Sequence, residues 1–87
     1  MDPACFDRLL GRYRMTPSTL FDVTRAGDRL LVRLTGQAAC RVFPLSEWHV
    51  FYKVVGAQIT FEPGRDGRAA RLILHQNGRD QTADRLA

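Results

Sequence analysis

The sequence predicts a small, mainly β domain: an antiparallel meander barrel of about eight strands preceded by a short N-terminal helix. Three observations lead to this fold class. Apolar and polar residues alternate with a period of two along most of the chain. Glycine, proline and asparagine interrupt these runs at short intervals, as turns do. The connections are too short for the crossovers that parallel strands need, so neighbouring runs are expected to pair antiparallel.

The length and composition fit one globular domain. Eighty-seven residues, 45% of them hydrophobic and 25% charged, can bury a single core. We therefore assign residues 1–87 to one domain, with the helix in 1–10 and the barrel in 11–87. No apolar run approaches the ~20 residues of a membrane span, and the first residues lack a secretory signal pattern. We expect no membrane association and a cytoplasmic location if the chain is whole, whereas a fragment allows a periplasmic or secreted one.

The first ten residues predict the helix. Asp2 is a suitable N-cap, and Pro3 suits the first helical position. Phe6 and Leu9 recur at helical spacing, and Gly11 ends the segment. The resulting apolar stripe is long enough to cover one end of a barrel.

Eight strands follow from the alternation and the turns between them. They are predicted at residues 12–15, 19–25, 29–35, 38–43, 49–55, 57–62, 68–76 and 79–85. Asn77-Gly78, between the last two, is the strongest turn signal, because both central positions of a type I′ turn need positive φ. A flat sheet of these strands would leave two exposed edges, which closure into a barrel removes.

The interior of such a barrel has room for its own side chains or for one small ligand. The side chains predicted to fill it are Phe21, Val23, Leu30, Val32, Leu34, Phe43, Phe51, Ile59, Phe61, Leu72 and Leu74. This set favours a filled barrel. The alternative is a freestanding carrier of a small apolar ligand, whose cavity would face four of them: Leu30, Val32, Phe51 and Phe61.

The strand at 49–55 departs from the usual pattern, because both of its faces are largely apolar. A barrel strand should present apolar residues outward only where something covers them. Either the N-terminal helix lies over this strand, or the strand forms an interface with a second copy of the chain or with another domain. Aromatic residues dominate such contacts. The candidate interface residues are Trp48, Val50, Tyr52 and Val54.

The charge and cysteine patterns argue against nucleic-acid and metal binding. The net charge is +4, but the basic residues are scattered rather than gathered beside stacking aromatics. Cys5 and Cys40 match no zinc or redox spacing, so the sequence implies no metal and no cofactor. Two reduced, buried thiols are favoured over a disulfide.

The chain contains no recognisable catalytic motif of its own. A general base needs an acid to orient it and a nucleophile beside it. Ser46 is the one nearby nucleophile for His49, and Asp80 is among the aspartates that could lie across the sheet from His49 or His75. We expect ordinary surface or hydrogen-bonded histidines and no enzymatic activity.

Four stretches occur in a characteristic order: a Gly-x-Tyr motif at Gly11 to Tyr13, a hairpin at 23–30, central strands between 43 and 61, and a final hairpin around 74–78. Over residues 6–85 this order resembles the lipocalin-like domain found at the C-terminus of serine beta-lactamase-like peptidases. The resemblance extends over nearly the whole chain.

The resemblance implies a non-catalytic accessory or assembly domain. In such proteins the catalytic serine and lysine belong to a neighbouring hydrolase domain. Here the serines are Ser18 and Ser46, and neither has a lysine three residues on. The implied partner is a serine hydrolase domain in the same or a neighbouring chain, and the apolar strand also allows a homo-oligomer.

Overall fold

The computed structural model describes residues 3–53 and 56–86, with side chains from residue 6 onward. Its eight strands pair antiparallel in sequence order, and β1 also pairs with β8, so the sheet closes into a barrel. The predicted fold class is therefore confirmed. The elements are a 3₁₀ helix at Pro3–Arg8 and strands β1 Gly11–Thr16, β2 Thr19–Ala26, β3 Arg29–Leu34, β4 Cys40–Ser46, β5 His49–Tyr52, β6 Ala57–Pro63, β7 Ala69–Gln76 and β8 Arg79–Arg85.

The N-terminal helix is a 3₁₀ helix of six residues, shorter than the segment predicted from Asp2 to Leu10. Asp2 lies outside the described residues. In a 3₁₀ helix, residues three apart lie on the same side, which places Phe6 and Leu9 together. Both side chains are buried, and the Leu9 amide donates a 2.8 Å hydrogen bond to the Phe6 carbonyl. The helix thus covers one end of the barrel, as its apolar stripe predicted. No helix in the described part of the chain has the length and apolar character needed to cross a membrane.

Two strands, β4 and β5, differ from the predicted ranges by more than one residue at an end. β4 continues through Pro44 to Ser46, and its register with β5 shifts between these two residues. Proline cannot donate to a sheet, and a bulge is one of the few places where a strand tolerates it. β5 ends at Tyr52, and the remainder of the predicted strand includes Val54 and Val55, which lie outside the described residues.

The interior is filled by combining large rings with small side chains. Tyr13 and Phe61 meet edge to face, with ring centroids 5.9 Å apart. Alanines at positions 57, 69 and 83 are also buried in the core. The buried core consists of Phe6, Leu9, Tyr13, Phe21, Val23, Leu30, Val32, Val42, Val50, Ala57, Ile59, Phe61, Ala69, Leu72, Leu74 and Ala83.

A polar clamp holds the helix against the barrel. The Tyr13 hydroxyl donates a 2.6 Å hydrogen bond to the Leu9 carbonyl. The Arg85 guanidinium donates to the Tyr13 hydroxyl at 2.9 Å, to the Arg8 carbonyl at 3.3 Å, and to the Ala69 carbonyl. Burial raises the pKa of Tyr13 to about 12, although the positive charge of Arg85 acts in the opposite direction. One arginine therefore connects the helix to β1, β7 and β8.

Candidate functional site

The barrel register decides which predicted interior residues face the core. Leu30, Val32 and Phe61 lie inside, each no more than 2% exposed. Phe51 does not, and its predicted interior position was wrong. Directly paired residues lie on the same side of a sheet. Leu30 pairs with Val42, so the neighbour of Val42 along the strand, Phe43, points outward together with its own partner, Phe51.

The same register corrects the predicted interface. Val50 is fully buried inside the barrel, so it cannot form a contact surface. Tyr52 shares its side of β5, and both Tyr52 and Trp48, in the turn before the strand, are half-buried against the core. Val54 lies outside the described residues. Both faces of β5 are indeed apolar, but the outward one is the face of Phe51.

An outer aromatic face takes the place of the predicted interface. Phe43 and Phe51 are directly opposite on β4 and β5, with ring centroids 5.8 Å apart. The Arg41 guanidinium lies 4.6 Å from the centroid of the Phe43 ring, and Lys53 Nζ lies 4.1 Å from it. Leu31 is half-buried beside Arg41 on β3. We use "outer aromatic face" for these five residues.

The cations of this face differ from several others on the barrel. Arg12 pairs with Asp22 at 3.1 Å, and Arg71 reaches carboxylates on both neighbouring strands. Within the described ranges, Arg41 and Lys53 have no acidic side chain at ion-pair distance. Their contact is with the negative face of an aromatic ring, a favourable arrangement that leaves their charge uncompensated.

A pocket lies at the end of the barrel away from the helix. It has a volume of about 310 Å³, at the low end of the range for small-molecule sites. Tyr52 and Cys40 are neighbours on its wall, and the Cys40 thiol, which is free, lies 3.8 Å from the Ala38 carbonyl. Burial raises the pKa of Tyr52 to about 12, and Cys40 acts in the same direction. The lining is Phe21, Val32, Leu34, Gln37, Ala38, Cys40, Tyr52, Ala57, Leu74 and Gln76.

A row of polar side chains crosses the outside of strands β5 to β8. His75 Nδ1 lies 2.7 Å from Asp80, and His75 Nε2 lies 2.9 Å from the Thr60 hydroxyl. The His49 ring meets the His75 ring edge on at 6.3 Å, and the buried His49 Nε2 has no hydrogen-bond partner among the described residues. Asp80 therefore does orient a histidine, as the sequence allowed, but the hydroxyl in reach belongs to Thr60 instead of Ser46.

The hydroxyl of this row belongs to a residue that is paired on both sides. Thr60 pairs with His49 on one side and Ile73 on the other, in the middle of the sheet. Backbone amides in the middle of a sheet are generally engaged in strand pairing, unlike the free amides of an oxyanion hole. Nor does the described part of the chain contain three or more His, Cys, Asp or Glu side chains grouped to hold a metal ion.

The fold defines a small, closed antiparallel barrel domain with its own hydrophobic core. The chain belongs to the DUF3471 family, a domain of unknown function, whose model matches residues 1–85. It is similar to penicillin-binding protein 4* of Bacillus subtilis (strain 168), with 31% identity over 85 residues. Those residues are 98% of this chain and 19% of that protein, so the chain spans about a fifth of the relative's length. No solved structure matches the chain. The resemblance to a domain associated with serine beta-lactamase-like peptidases is thereby confirmed.

Proposed function

We propose that this domain is a non-catalytic accessory part of a beta-lactamase-like serine hydrolase, and that it acts by associating with the hydrolase domain. The observation that carries the proposal is the unequal match with the Bacillus subtilis relative. Nearly all of this chain corresponds to one fifth of a penicillin-binding protein. A segment of that size that forms a complete barrel is expected to be a separately folding module beside the remaining four fifths.

The surface chemistry supports an accessory role. The strongest candidate for a reactive group is the Thr60–His75–Asp80 row, and its hydroxyl lies in a strand paired on both sides, where backbone amides are generally engaged in the sheet. The sequence has no serine followed three residues later by lysine, the spacing used by serine beta-lactamases and penicillin-binding proteins. The chemistry of the complete protein would therefore reside in its hydrolase domain.

The test uses a fluorescent penicillin, which acylates the catalytic serine of such hydrolases. The chain would be purified alone and also recovered, through an affinity tag, from its native host. We expect no label on the isolated chain and a labelled hydrolase either in the same polypeptide or co-purifying with it. Acylation of the isolated chain would contradict the non-catalytic role. Recovery from the host without any penicillin-reactive protein would contradict the association.

A second candidate function, the carriage of a small apolar ligand, is favoured by the pocket at the open end. Its wall combines Val32, Leu34 and Leu74 with the Tyr52 hydroxyl, as expected of a site for a short apolar molecule with one polar end. Native mass spectrometry of the purified chain would detect a retained ligand. Ala38→Trp, which fills the pocket from its rim, should abolish that signal, whereas Ala39→Trp, just outside the lining, should retain it. A chain that carries no bound molecule after purification from its host would exclude this function.

A further inference from the structure

We propose that the outer aromatic face is the surface on which the hydrolase domain docks, and that the hydrolase contributes acidic side chains to the contact. This inference rests on the accessory function proposed above and assigns it a location. The face consists of Leu31, Arg41, Phe43 and Phe51 on β3, β4 and β5, together with Lys53, which directly follows β5.

The composition of the face matches the residues that carry binding energy between proteins. Aromatic residues and arginine are enriched at the centres of interfaces, where they fill pockets and exclude water. Phe43 and Phe51 point outward although the barrel interior is apolar, and their rings contact each other across the strand pair. Leu45, 54% exposed, follows on β4, so the apolar surface continues toward the end of the strand.

The charge of the face specifies the chemistry of the partner. Arg41 and Lys53 both lie over the Phe43 ring, and no carboxylate within the described ranges pairs with either. A partner that covered the rings with an apolar or basic surface would bury two uncompensated charges, which is strongly unfavourable. Carboxylates at the rim of the partner would pair with both cations and remove that penalty.

The same charges argue against a second copy of this chain as the occupant. A symmetric dimer would place the face against itself, because a twofold interface uses the same patch on both subunits. Arg41 and Lys53 would then approach their own equivalents. The proposed hydrolase domain, in contrast, is a different polypeptide segment, and the chain accounts for only 19% of the Bacillus subtilis relative, so most of that relative lies outside the matched module.

Site-specific photo-crosslinking tests the location. Phe51 would be replaced by p-benzoylphenylalanine in the full chain in its native host, and Arg14, on the opposite wall in β1, would be replaced in the same way as a control. We expect position 51 to crosslink to the penicillin-labelled hydrolase domain, and position 14 not to do so. If both domains share one polypeptide, peptide mapping identifies the linked segments. A crosslink to a second copy or to lipid, or no crosslink, would overturn the proposal.

Charge reversal tests the acidic partner separately. Arg41→Glu combined with Lys53→Glu should lower the crosslink yield from position 51 about tenfold, because like charges would then face each other. Arg14→Glu, a matched reversal outside the face, should leave the yield unchanged. An unaltered yield in the double variant would contradict the acidic partner.

The two proposals can fail independently. Co-purification of a penicillin-labelled protein without a crosslink from position 51 would leave the accessory function standing and show that this face is not the docking surface. Absence of any labelled protein would contradict the accessory function itself.

Discussion

The two ends of the barrel are built in different ways. At one end, the 3₁₀ helix inserts Phe6 and Leu9 into the core, and the hydrogen bonds of Tyr13 and Arg85 hold it there. At the other end, the strands stop around a pocket of about 310 Å³, where Leu34 is only half-buried. The first arrangement satisfies polar groups within the domain, whereas the second leaves apolar surface accessible.

We expect the closed end to contribute more to the stability of the fold than the open end. The closed end combines local and distant segments, because Arg8 and Arg85 are joined across 77 residues of sequence. Such contacts are lost only when the whole barrel opens, so we expect them to contribute to the global free energy of unfolding. At the open end, we expect side-chain changes to have less effect on folding.

The largest expected difference comes from the same substitution at each end. Leu9→Ala should lower the free energy of unfolding by about 3 to 4 kcal/mol, because a fully buried leucine leaves a cavity. Leu34→Ala should lower it by about 1 kcal/mol, since that side chain is already partly in water. Urea unfolding of both variants measures the comparison. Equal losses would show that the open end is as important to folding as the closed one.

Removing the clamp should have the next largest effect. Arg85→Ala would leave the Ala69 and Arg8 carbonyls and the Tyr13 hydroxyl without their donor. We therefore expect the free energy of unfolding to fall by about 3 kcal/mol. Arg12→Ala is the control, because Arg12 forms an exposed ion pair worth less than about 1 kcal/mol. A comparable loss from the two variants in urea unfolding would mean that the clamp does not hold the helix.

The strand order and the closed barrel could be predicted from the sequence because both depend on local signals. Short turns force antiparallel neighbours, and Asn77-Gly78 has positive φ at both positions, 54° and 73°, as a type I′ turn needs. The face of each strand was predictable wherever one side was polar. Leu30 and Val32 alternate with charged or half-buried neighbours and were placed correctly.

The side of β5 that faces the core could not be predicted in this way, because both faces of the strand are apolar. Phe51 was predicted to fill the core, but Val42 and Val50 are the residues of β4 and β5 that are buried in it. The deciding information is the register, which runs from Leu30 through Val42 to Tyr52. Following the pairing strand by strand from a well-patterned neighbour would have identified the outer aromatic face.

Alkaline pH should affect both ends through their tyrosines. The folded-state pKa of Tyr13 is raised from 10 to about 12. The stabilisation that the neutral Tyr13 side chain gives to the folded state is therefore complete below pH 10. It is lost as the pH rises toward 12, when the buried phenol ionises. For a pKa shift of this size, we expect the free energy of unfolding to be about 2 kcal/mol lower at pH 12 than at pH 9.

Two variants assign this alkaline loss. Tyr13→Phe and Tyr52→Phe should each flatten the fall of the unfolding free energy between pH 10 and 12, since both hydroxyls have a raised pKa. In Arg85→Ala the pKa of Tyr13 should rise further, because the cation that opposes the shift is gone. Absorbance titration of the phenolate follows each group. A midpoint near 10 for Tyr13 would contradict its burial against the helix.

The smallest effect tests why glycine precedes Tyr13 by two residues. Gly11 has φ of 142°, and a Cβ there would lie 2.5 Å from Arg85 Nη1. Gly11→Ala should therefore lower the unfolding free energy by roughly 1 to 2 kcal/mol, partly through the backbone and partly by displacing the guanidinium. Gly27→Ala, where φ is 62° and no atom lies within 4 Å, should show the backbone part alone, below about 1 kcal/mol. In the Arg85→Ala background the loss from Gly11→Ala should fall toward that of Gly27→Ala, because the displaced group is absent. If the loss from Gly11→Ala is equally large in that background, the requirement for glycine comes from its backbone conformation alone. The hydrogen bonds of Tyr13 and Arg85 at the closed end would then not depend on the absence of a side chain at position 11.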